Sequence, residues 1–286
     1  MLAKEQKKGN RKEGEGKFIF IGSKDFNDFL GKSGIGRIES DKMLFLFMGD
    51  INRKYIKDLK KLGYSDISSK RLFSFAIHSV KIDYINNLSK VGFKDLSPSK
   101  LLSFRIHDVK PEYFEELAKL GYKDISPSEA LSLFIHNVKI DYIKKLHSEG
   151  HKDVSLKRII SMNIHDVKPE YWEGLKKLGY KDISAQKLVS LNIHNVSIPF
   201  IKEIHALGFK DVSLSKLISL KIHNVSTEFI KEIKALGFKD VSLEKFISLK
   251  IHDVDKYYIK ETSEYLKKRG REITLDRIIR MKIHDL

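Results

Sequence analysis

The chain repeats one pattern of apolar and polar positions with a period of 29 residues. In residues 197–225, apolar side chains recur at helical spacing between 200 and 207 and stop at Gly208. A second set recurs between 217 and 222 and stops at His223. Apolar residues at every third or fourth position are typical of an amphipathic helix. Each period therefore predicts two helices of roughly ten residues, which are too short to be stable alone in water, so neighbouring units must bury them.

Glycine and serine mark the ends of the predicted helices. A glycine column stands where the first helix of each unit ends, a place where a left-handed backbone favours glycine. A serine or threonine column stands where the second helix begins, as expected of residues that cap the first turn. Proline follows at the first helical position in two units, as Pro98 and Pro127. The glycines are Gly63, Gly92, Gly121, Gly150, Gly179, Gly208 and Gly237, and the caps are Ser68, Ser97, Ser126, Ser155, Ser184, Ser213, Ser242 and Thr274.

The period predicts an all-α fold, an αα-superhelix (solenoid) of about nine 29-residue two-helix repeats with a concave and a convex face, because each unit contacts only its neighbours. We expect one elongated repeat domain over residues 23–286. The charged, glycine-rich tail at residues 1–16 is expected to be disordered. Residues 17–22 are expected to form a short extended N-terminal cap, the lead-in to the first unit. The predicted units are 23–51, 52–80, 81–109, 110–138, 139–167, 168–196, 197–225, 226–254 and 255–286, the last with a three-residue insertion.

A histidine recurs in seven of these units, within the string Ile-His-(Asp/Asn/Ser)-Val. Each has a serine four residues before it, which would share its helix face, but seven equivalent pairs argue against one asymmetric active site. The preferred interpretation is structural: the histidine bonds to helix-terminal carbonyls or to the next unit, and the residue after it forms a turn or cap. Metal binding or proton sensing by the column is the alternative. The histidines are His78, His107, His136, His165, His194, His223 and His252, and Gly49 takes this place in the first unit.

One unit departs from the repeat pattern in a way that suggests metal chemistry. Glu149 stands where other units carry Leu or Val, and His151 stands where they carry Phe or Tyr. Together with His147, these side chains are candidate ligands for zinc or nickel. The alternative is a locally solvated notch, because Gly150 is expected to end the helix before His151. Trp172, the only tryptophan, is expected to be a core residue.

The formal net charge of +16 raises the question of a polyanionic partner. Only residues 52–80 are strongly basic, with seven Lys and Arg against two Asp. Elsewhere the charge is spread thinly, and a lysine column from Lys94 to Lys239 is followed at each position by aspartate, which weakens it as a phosphate track. Nucleic acid therefore remains an alternative partner. The candidate binding residues are Arg53, Lys54, Lys57, Lys61, Lys70 and Arg71.

Several classes of protein are disfavoured by what the sequence lacks. Without cysteine it can form neither disulfides nor thiolate metal sites. It shows no signal peptide and no apolar run long enough to span a membrane. No phosphate-binding loop, nucleophile elbow, zinc-peptidase motif or dinucleotide motif occurs, so we expect neither an enzyme nor a cofactor. As written, the chain is expected to be cytoplasmic, or periplasmic or secreted if a signal peptide has been removed.

The repeat resembles a known type. Residues 220–233 read Leu-Lys-Ile-His-Asn-Val-Ser-Thr-Glu-Phe-Ile-Lys-Glu-Ile. This is similar to the Leu-Arg-Ile-His-Gly-Val-Thr-Pro-Glu-Phe-Ile-Arg-Glu-Leu units of bacterial helical-repeat proteins of unknown function, and of repeats appended to some beta-lactam-antirepressor-type membrane metallopeptidases. The likeness covers roughly residues 23–286, with a similar lead-in at 14–20, but the membrane helices and the zinc motif are missing. The resemblance implies a helical array and carries over no peptidase activity.

These observations favour a non-enzymatic scaffold that binds a protein or peptide partner on its concave face, an expectation that rests on the geometry of repeat arrays. The alternative is binding of nucleic acid or another polyanion through the basic surface.

Overall fold

A computed structural model describes the backbone of residues 2–8, 11–17 and 19–284, and the side chains of residues 19–284. The chain divides into two compact units, Met1–Ile140 and Asp141–Leu286. Residues 24–283 are all-helical apart from the connections, with eighteen helices that follow one another in pairs. The predicted solenoid of two-helix repeats is confirmed at the level of helix order and of contacts between neighbouring helices.

The first unit contains a hairpin and four complete helix pairs. Its elements are β1 (Leu2–Lys8), β2 (Arg11–Lys17), α1 (Lys24–Lys32), α2 (Ser40–Met48), α3 (Arg53–Lys61), α4 (Ser69–Ile77), α5 (Ile82–Lys90), α6 (Pro98–Ile106), α7 (Pro111–Lys119) and α8 (Pro127–Ile135).

The second unit contains five helix pairs, and its first helix begins at the residue before the division. Its elements are α9 (Ile140–Ser148), α10 (Leu156–Ile164), α11 (Pro169–Lys177), α12 (Ala185–Ile193), α13 (Ile198–Ala206), α14 (Leu214–Ile222), α15 (Thr227–Ala235), α16 (Leu243–Ile251), α17 (Lys256–Lys268) and α18 (Leu275–Ile283). The three-residue insertion lengthens α17 to 13 residues, against nine in the other helices of this unit.

Within each unit the helices form two layers. The first helices of successive repeats contact one another, as α3 contacts α5 and α5 contacts α7, and the second helices do the same from α4 to α6 to α8. The second unit repeats this arrangement. Its first helices contact one another in the order α11, α13 and α15, and its second helices in the order α10, α12, α14, α16 and α18. Between the layers lie the apolar positions of the period, for example Ile85 and Leu88 of α5 with Leu101 and Phe104 of α6, all at most 5% exposed. Burial of this shared face stabilises helices that would not persist alone.

The predicted ends of the first helices are confirmed. Gly179 has a φ of +95°. Its N–H donates to the carbonyl of Lys176 at 2.9 Å, and the N–H of Tyr180 donates to the carbonyl of Leu175 at 3.2 Å. These two bonds satisfy helix-terminal carbonyls in the way typical of a glycine-terminated helix. The same left-handed backbone occurs at every glycine of the column.

The predicted N-caps of the second helices are also confirmed. The Ser126 hydroxyl accepts the N–H of Glu129 at 3.2 Å, and the Glu129 carboxylate accepts the N–H of Ser126 at 3.1 Å. This reciprocal pair satisfies two N–H groups at the start of the helix. Ser155 also takes the N-cap position, but its side chain makes no capping bond.

The second helices end on the histidine column. Each of the seven histidines is the C-cap, and the Asp, Asn or Ser that follows is left-handed, with φ between 50° and 54°. The predicted turn role of this residue is therefore confirmed. Gly49 replaces the histidine in the first pair because a Cβ there would lie 3.0 Å from the Ala76 backbone. The close approach of α2 to α4 therefore favours glycine at this point.

A tyrosine ladder joins the two layers within a repeat. The Tyr55 hydroxyl donates to the carbonyl of Val80 at 2.7 Å, and the corresponding bonds of Tyr84, Tyr113 and Tyr142 span 2.7–2.9 Å. Each bond ties the start of a first helix to the chain that leaves the second helix of the same repeat. Burial raises the pKa of these hydroxyls above the ordinary value, and it raises the pKa of Tyr171 in the same column to about 12. The phenols therefore remain neutral donors at physiological pH.

The N-terminal region differs from the predicted disordered tail. Strands β1 and β2 pair antiparallel, with Leu2 opposite Lys17 and Lys8 opposite Arg11. The many charges of this segment are typical of a disordered tail. The sequence between the two strand segments, however, is Gly-Asn, a dipeptide that is common in two-residue hairpin connections. The predicted cap at 17–22 begins inside β2, and Phe18 lies outside the described residues. Residues 19–23 are neither helix nor strand, and the Phe20 ring lies 5.9 Å from that of Phe47.

Across residues 19–284, no helix combines the length and the apolar character that crossing a membrane requires.

Candidate functional site

The histidine column contributes to the structure mainly through its backbone. The His78 N–H donates to the carbonyl of Ser74 at 3.0 Å, and the His78 carbonyl accepts the Arg105 guanidinium of the next repeat at 3.2 Å. Asn192 donates to the carbonyl of His165 in the same way. Neighbouring repeats are therefore linked at the ends of their second helices. The imidazoles themselves are exposed or half-exposed.

Two of the serines that stand four residues before a histidine are not arranged as nucleophiles. The Ser74 hydroxyl donates to the carbonyl of Lys70 at 3.2 Å, and the Ser103 hydroxyl donates to that of Ser99 at 3.1 Å. Serines that bond back to their own helix are a common local arrangement. These two hydroxyls are thus directed along the helix rather than toward an imidazole base.

The isoleucine before each histidine forms an exposed apolar column that sequence periodicity does not single out. In every repeat from the second onward, this side chain is between 48% and 52% exposed, although it belongs to an otherwise buried apolar pattern. On each second helix it shares a face with the serine three residues earlier. The isoleucine column consists of Ile77, Ile106 and Ile135 in the first unit, and Ile164, Ile193, Ile222, Ile251 and Ile283 in the second.

The basic residues of 52–80 are divided between two helices and largely engaged. Arg53 pairs with Asp25 and lies over the Phe29 ring, with 5.0 Å between the guanidinium carbon and the ring centroid. On the same helix, Lys54 and Lys61 both approach Asp58, at 2.5 Å and 3.8 Å.

Two of the six candidate residues, Lys70 and Arg71, lie on α4. Arg71 of α4 donates to the Ser99 hydroxyl at 2.9 Å. Within residues 19–284, the exposed ammonium groups of Lys57 and Lys70 make neither a hydrogen bond nor an ion pair. Four of the six predicted binding residues therefore already have acidic or polar partners, and their role in binding stays a prediction.

The predicted metal ligands His147, Glu149 and His151 are not brought together as a set. His147 lies on α9 and is 8% exposed, and Gly150 ends the turn with a φ of +91° before His151 is reached. The donor atoms of Glu149 and His151 converge instead with those of Glu173 on α11 in the next repeat. Sequence analysis did not identify Glu173, because it lies 22 residues beyond His151 and only helix packing places it there.

The cluster of Glu149, His151 and Glu173 is compact and largely enclosed. One donor atom from each residue lies within 4.8 Å of the others, and His151 Nε2 is 4.0 Å from Glu173 Oε1. The side chains of His151, Glu149 and Glu173 are 9%, 11% and 32% exposed. The imidazole stacks on the indole of Trp172, with the ring centroids 3.3 Å apart and the planes 11° from parallel.

Two lysines bind the glutamates of the cluster. Lys145 Nζ lies 2.9 Å from Glu149 Oε1, and Lys176 Nζ lies 3.0 Å from Glu173 Oε1. The hydrogen bond from Lys176 lowers the pKa of Glu173 below its ordinary value. Burial lowers the pKa of His151, and the charge of Lys176 acts in the same direction. The lowered pKa values favour an ionised Glu173 carboxylate and a neutral His151 imidazole at neutral pH.

A comparison with protein-family models finds no family that matches this chain. A comparison with curated protein sequences likewise finds no match. The resemblance to repeats appended to antirepressor-type metallopeptidases stays a prediction.

Proposed function

We propose that this protein is a non-enzymatic scaffold that binds a protein or peptide partner along the isoleucine column. The observation that carries this proposal is the regular half-exposure of those side chains. A single exposed aliphatic residue is ordinary on a protein surface. Within each of the two units, a series of branched side chains, one per repeat, makes an apolar strip, and contiguous exposed apolar surface is typical of interaction sites.

The spacing of the column favours an extended peptide. Neighbouring helices pack about 8–10 Å apart, so successive isoleucines on neighbouring second helices are separated by about that distance. A polyproline II segment rises about 3.1 Å per residue and repeats its face every three residues, which returns a side chain at about 9 Å. A partner with an apolar residue at every third position therefore matches the column.

The charge around the column favours acidic residues between those apolar positions. Lys221, Lys250 and Lys282 directly precede isoleucines of the column. The first two have their ammonium groups 4.3 Å from the ring centroids of Phe200 and Phe229, respectively. Cations fixed in this way complement a partner with carboxylates beside its apolar side chains.

Selection from a displayed library of random peptides tests this function. The wild type and the Ile193→Ser/Ile222→Ser double variant are offered the same library, and recovered peptides are measured by fluorescence anisotropy. We expect recovered peptides to carry apolar residues at every third position and to bind the double variant at least about tenfold more weakly, because two buried contacts of this size are lost.

The matched control is Lys202→Ser/Lys231→Ser, which removes two exposed side chains of the first-helix layer. Binding by this control should equal that of the wild type. Peptides that bind the isoleucine variant as well as the wild type would exclude the column as the site. Failure to recover any peptide would argue against peptide binding altogether.

A further inference from the structure

One repeat carries largely buried polar side chains at two positions where other repeats carry aliphatic or aromatic ones. At the positions of Glu149 and His151, the preceding repeat has Leu120 and Tyr122. A leucine and a tyrosine at these positions would pack in the apolar layer as they do in the preceding repeat. Apolar packing therefore does not explain why this repeat has a carboxylate and an imidazole there. The exchange occurs beside Trp172, which presents a flat surface against which the His151 ring is held.

The exchanged side chains leave two polar atoms without a partner. Glu149 Oε2 and His151 Nε2 are both inaccessible to solvent, and neither makes a hydrogen bond. Buried polar atoms are nearly always satisfied, because leaving one unpaired costs its full hydration. Glu149 and His151, the residues that carry these atoms, each contribute one donor atom to the group that converges with Glu173. An additional positive group at that point would satisfy them together.

We propose that Glu149, His151 and Glu173 form a binding site for one divalent transition-metal ion, with Zn²⁺ as the best match. An imidazole nitrogen and two carboxylate oxygens are ligands that zinc accepts at about 2.0–2.2 Å. Tetrahedral coordination at those lengths separates ligand atoms by about 3.4 Å. The observed 4.0 Å between His151 Nε2 and Glu173 Oε1 therefore needs a contraction of about half an ångström, within the range of side-chain rotation.

The surroundings allow the charge to be accommodated. Lys145 binds Glu149 Oε1 and leaves Oε2 free, whereas Lys176 binds Glu173 Oε1, the oxygen that lies 4.0 Å from His151 Nε2, so a metal ion at that oxygen must displace Lys176. The two lysine side chains are 50% and 39% exposed. Both can turn toward solvent when a metal ion arrives. One of the three ligands is an imidazole nitrogen, which favours a transition metal over Mg²⁺ and Ca²⁺, because those two ions bind oxygen ligands almost exclusively. Three protein ligands leave a fourth position for water.

The lone tryptophan makes the site directly observable. Trp172 is the only tryptophan in the chain and stacks on the proposed ligand His151. We expect Zn²⁺ added to chelator-treated full-length protein to change the tryptophan emission, with one ion bound per chain by calorimetry and elemental analysis. Mg²⁺ should cause no such change. Co²⁺ in place of Zn²⁺ should give the visible absorption of a four-coordinate site.

Two variants test the ligands separately from folding. Glu173→Gln is nearly isosteric, and His151→Phe introduces an aromatic residue of the kind other repeats carry, so both should fold, as judged by circular dichroism. Each should weaken Zn²⁺ binding by at least about tenfold. His147→Gln is the matched control, because His147 lies outside the cluster, and its affinity should equal that of the wild type.

Three results would overturn the proposal. The first is absence of a calorimetric signal and of a fluorescence change with Zn²⁺. The second is binding that His151→Phe and Glu173→Gln leave intact, which would assign the ion to the exposed histidine column. The third is loss of binding in His147→Gln alone, which would assign the ion to a different set of ligands.

Discussion

Replacement of Gly179 by alanine tests how the repeats end their first helices. Gly179 has a φ of +95°, and a Cβ built on it would meet no atom within 4 Å. The substitution therefore introduces no collision with neighbouring side chains. Any loss of stability must come from the backbone alone.

The expected loss in the free energy of unfolding follows from the left-handed conformation of Gly179. An L-residue in this region costs about 1–2 kcal/mol relative to the right-handed form. Alanine also restricts the unfolded chain, which offsets about 0.4–1 kcal/mol of that cost. We therefore expect Gly179→Ala to lower the free energy of unfolding by about 1 kcal/mol. Asparagine tolerates the left-handed region better than alanine does, so Gly179→Asn should cost less, whereas Gly179→Val should cost more than either because β-branched residues fit this region worst.

Urea denaturation followed by circular dichroism measures the effect. With a slope of about 3 kcal/mol per molar, a loss of 1 kcal/mol moves the midpoint down by about 0.3 M. The control is Gly31→Ala on α1, where the backbone is helical and the new Cβ would meet only Arg37 Cγ, at 3.9 Å. That variant should be stabilised by about 0.5–1 kcal/mol, because alanine is the better helix former.

The two alanine variants should thus change stability in opposite directions. If Gly179→Ala were as stable as the wild type, left-handed termination would contribute nothing, and the glycine column would need another explanation. A fall of the same size in Gly31→Ala would show that the effect is unrelated to the sign of φ.

Three further predictions concern the tyrosine ladder and the basic surface. Tyr142→Phe should lower the free energy of unfolding by about 1 kcal/mol in urea melts, because the Val167 carbonyl loses its hydrogen bond, whereas Phe200→Tyr should not lower it. Stability should fall between about pH 10 and 12, since Tyr171 retains its proton to about pH 12 when folded and to only about pH 10 when unfolded. Melts that are flat across that interval would contradict this. Binding of labelled DNA or RNA, followed by anisotropy, should be lost by about 0.1 M salt, and micromolar affinity that survives physiological salt would restore the polyanion alternative.

The sequence determined those features whose physical causes lie within a few residues of each other. Gly179 ends its helix because its own φ is positive, and Ser126 begins one because its hydroxyl reaches the N–H three residues later. Such conformations repeat wherever the local sequence repeats. The two-helix unit and its stacking on neighbouring units could therefore be predicted from the 29-residue period.

The tertiary structure alone decided which side chains meet across repeats and which remain exposed. Ile222 belongs to the apolar pattern of its helix, yet it is half-exposed. It is the last residue of α14, and neighbouring helices do not cover its side chain there. Glu173 joins His151, and His147 does not, because the turn at Gly150 redirects the chain and the next repeat packs against it. These contacts depend on distances between separate helices, which sequence periodicity does not encode.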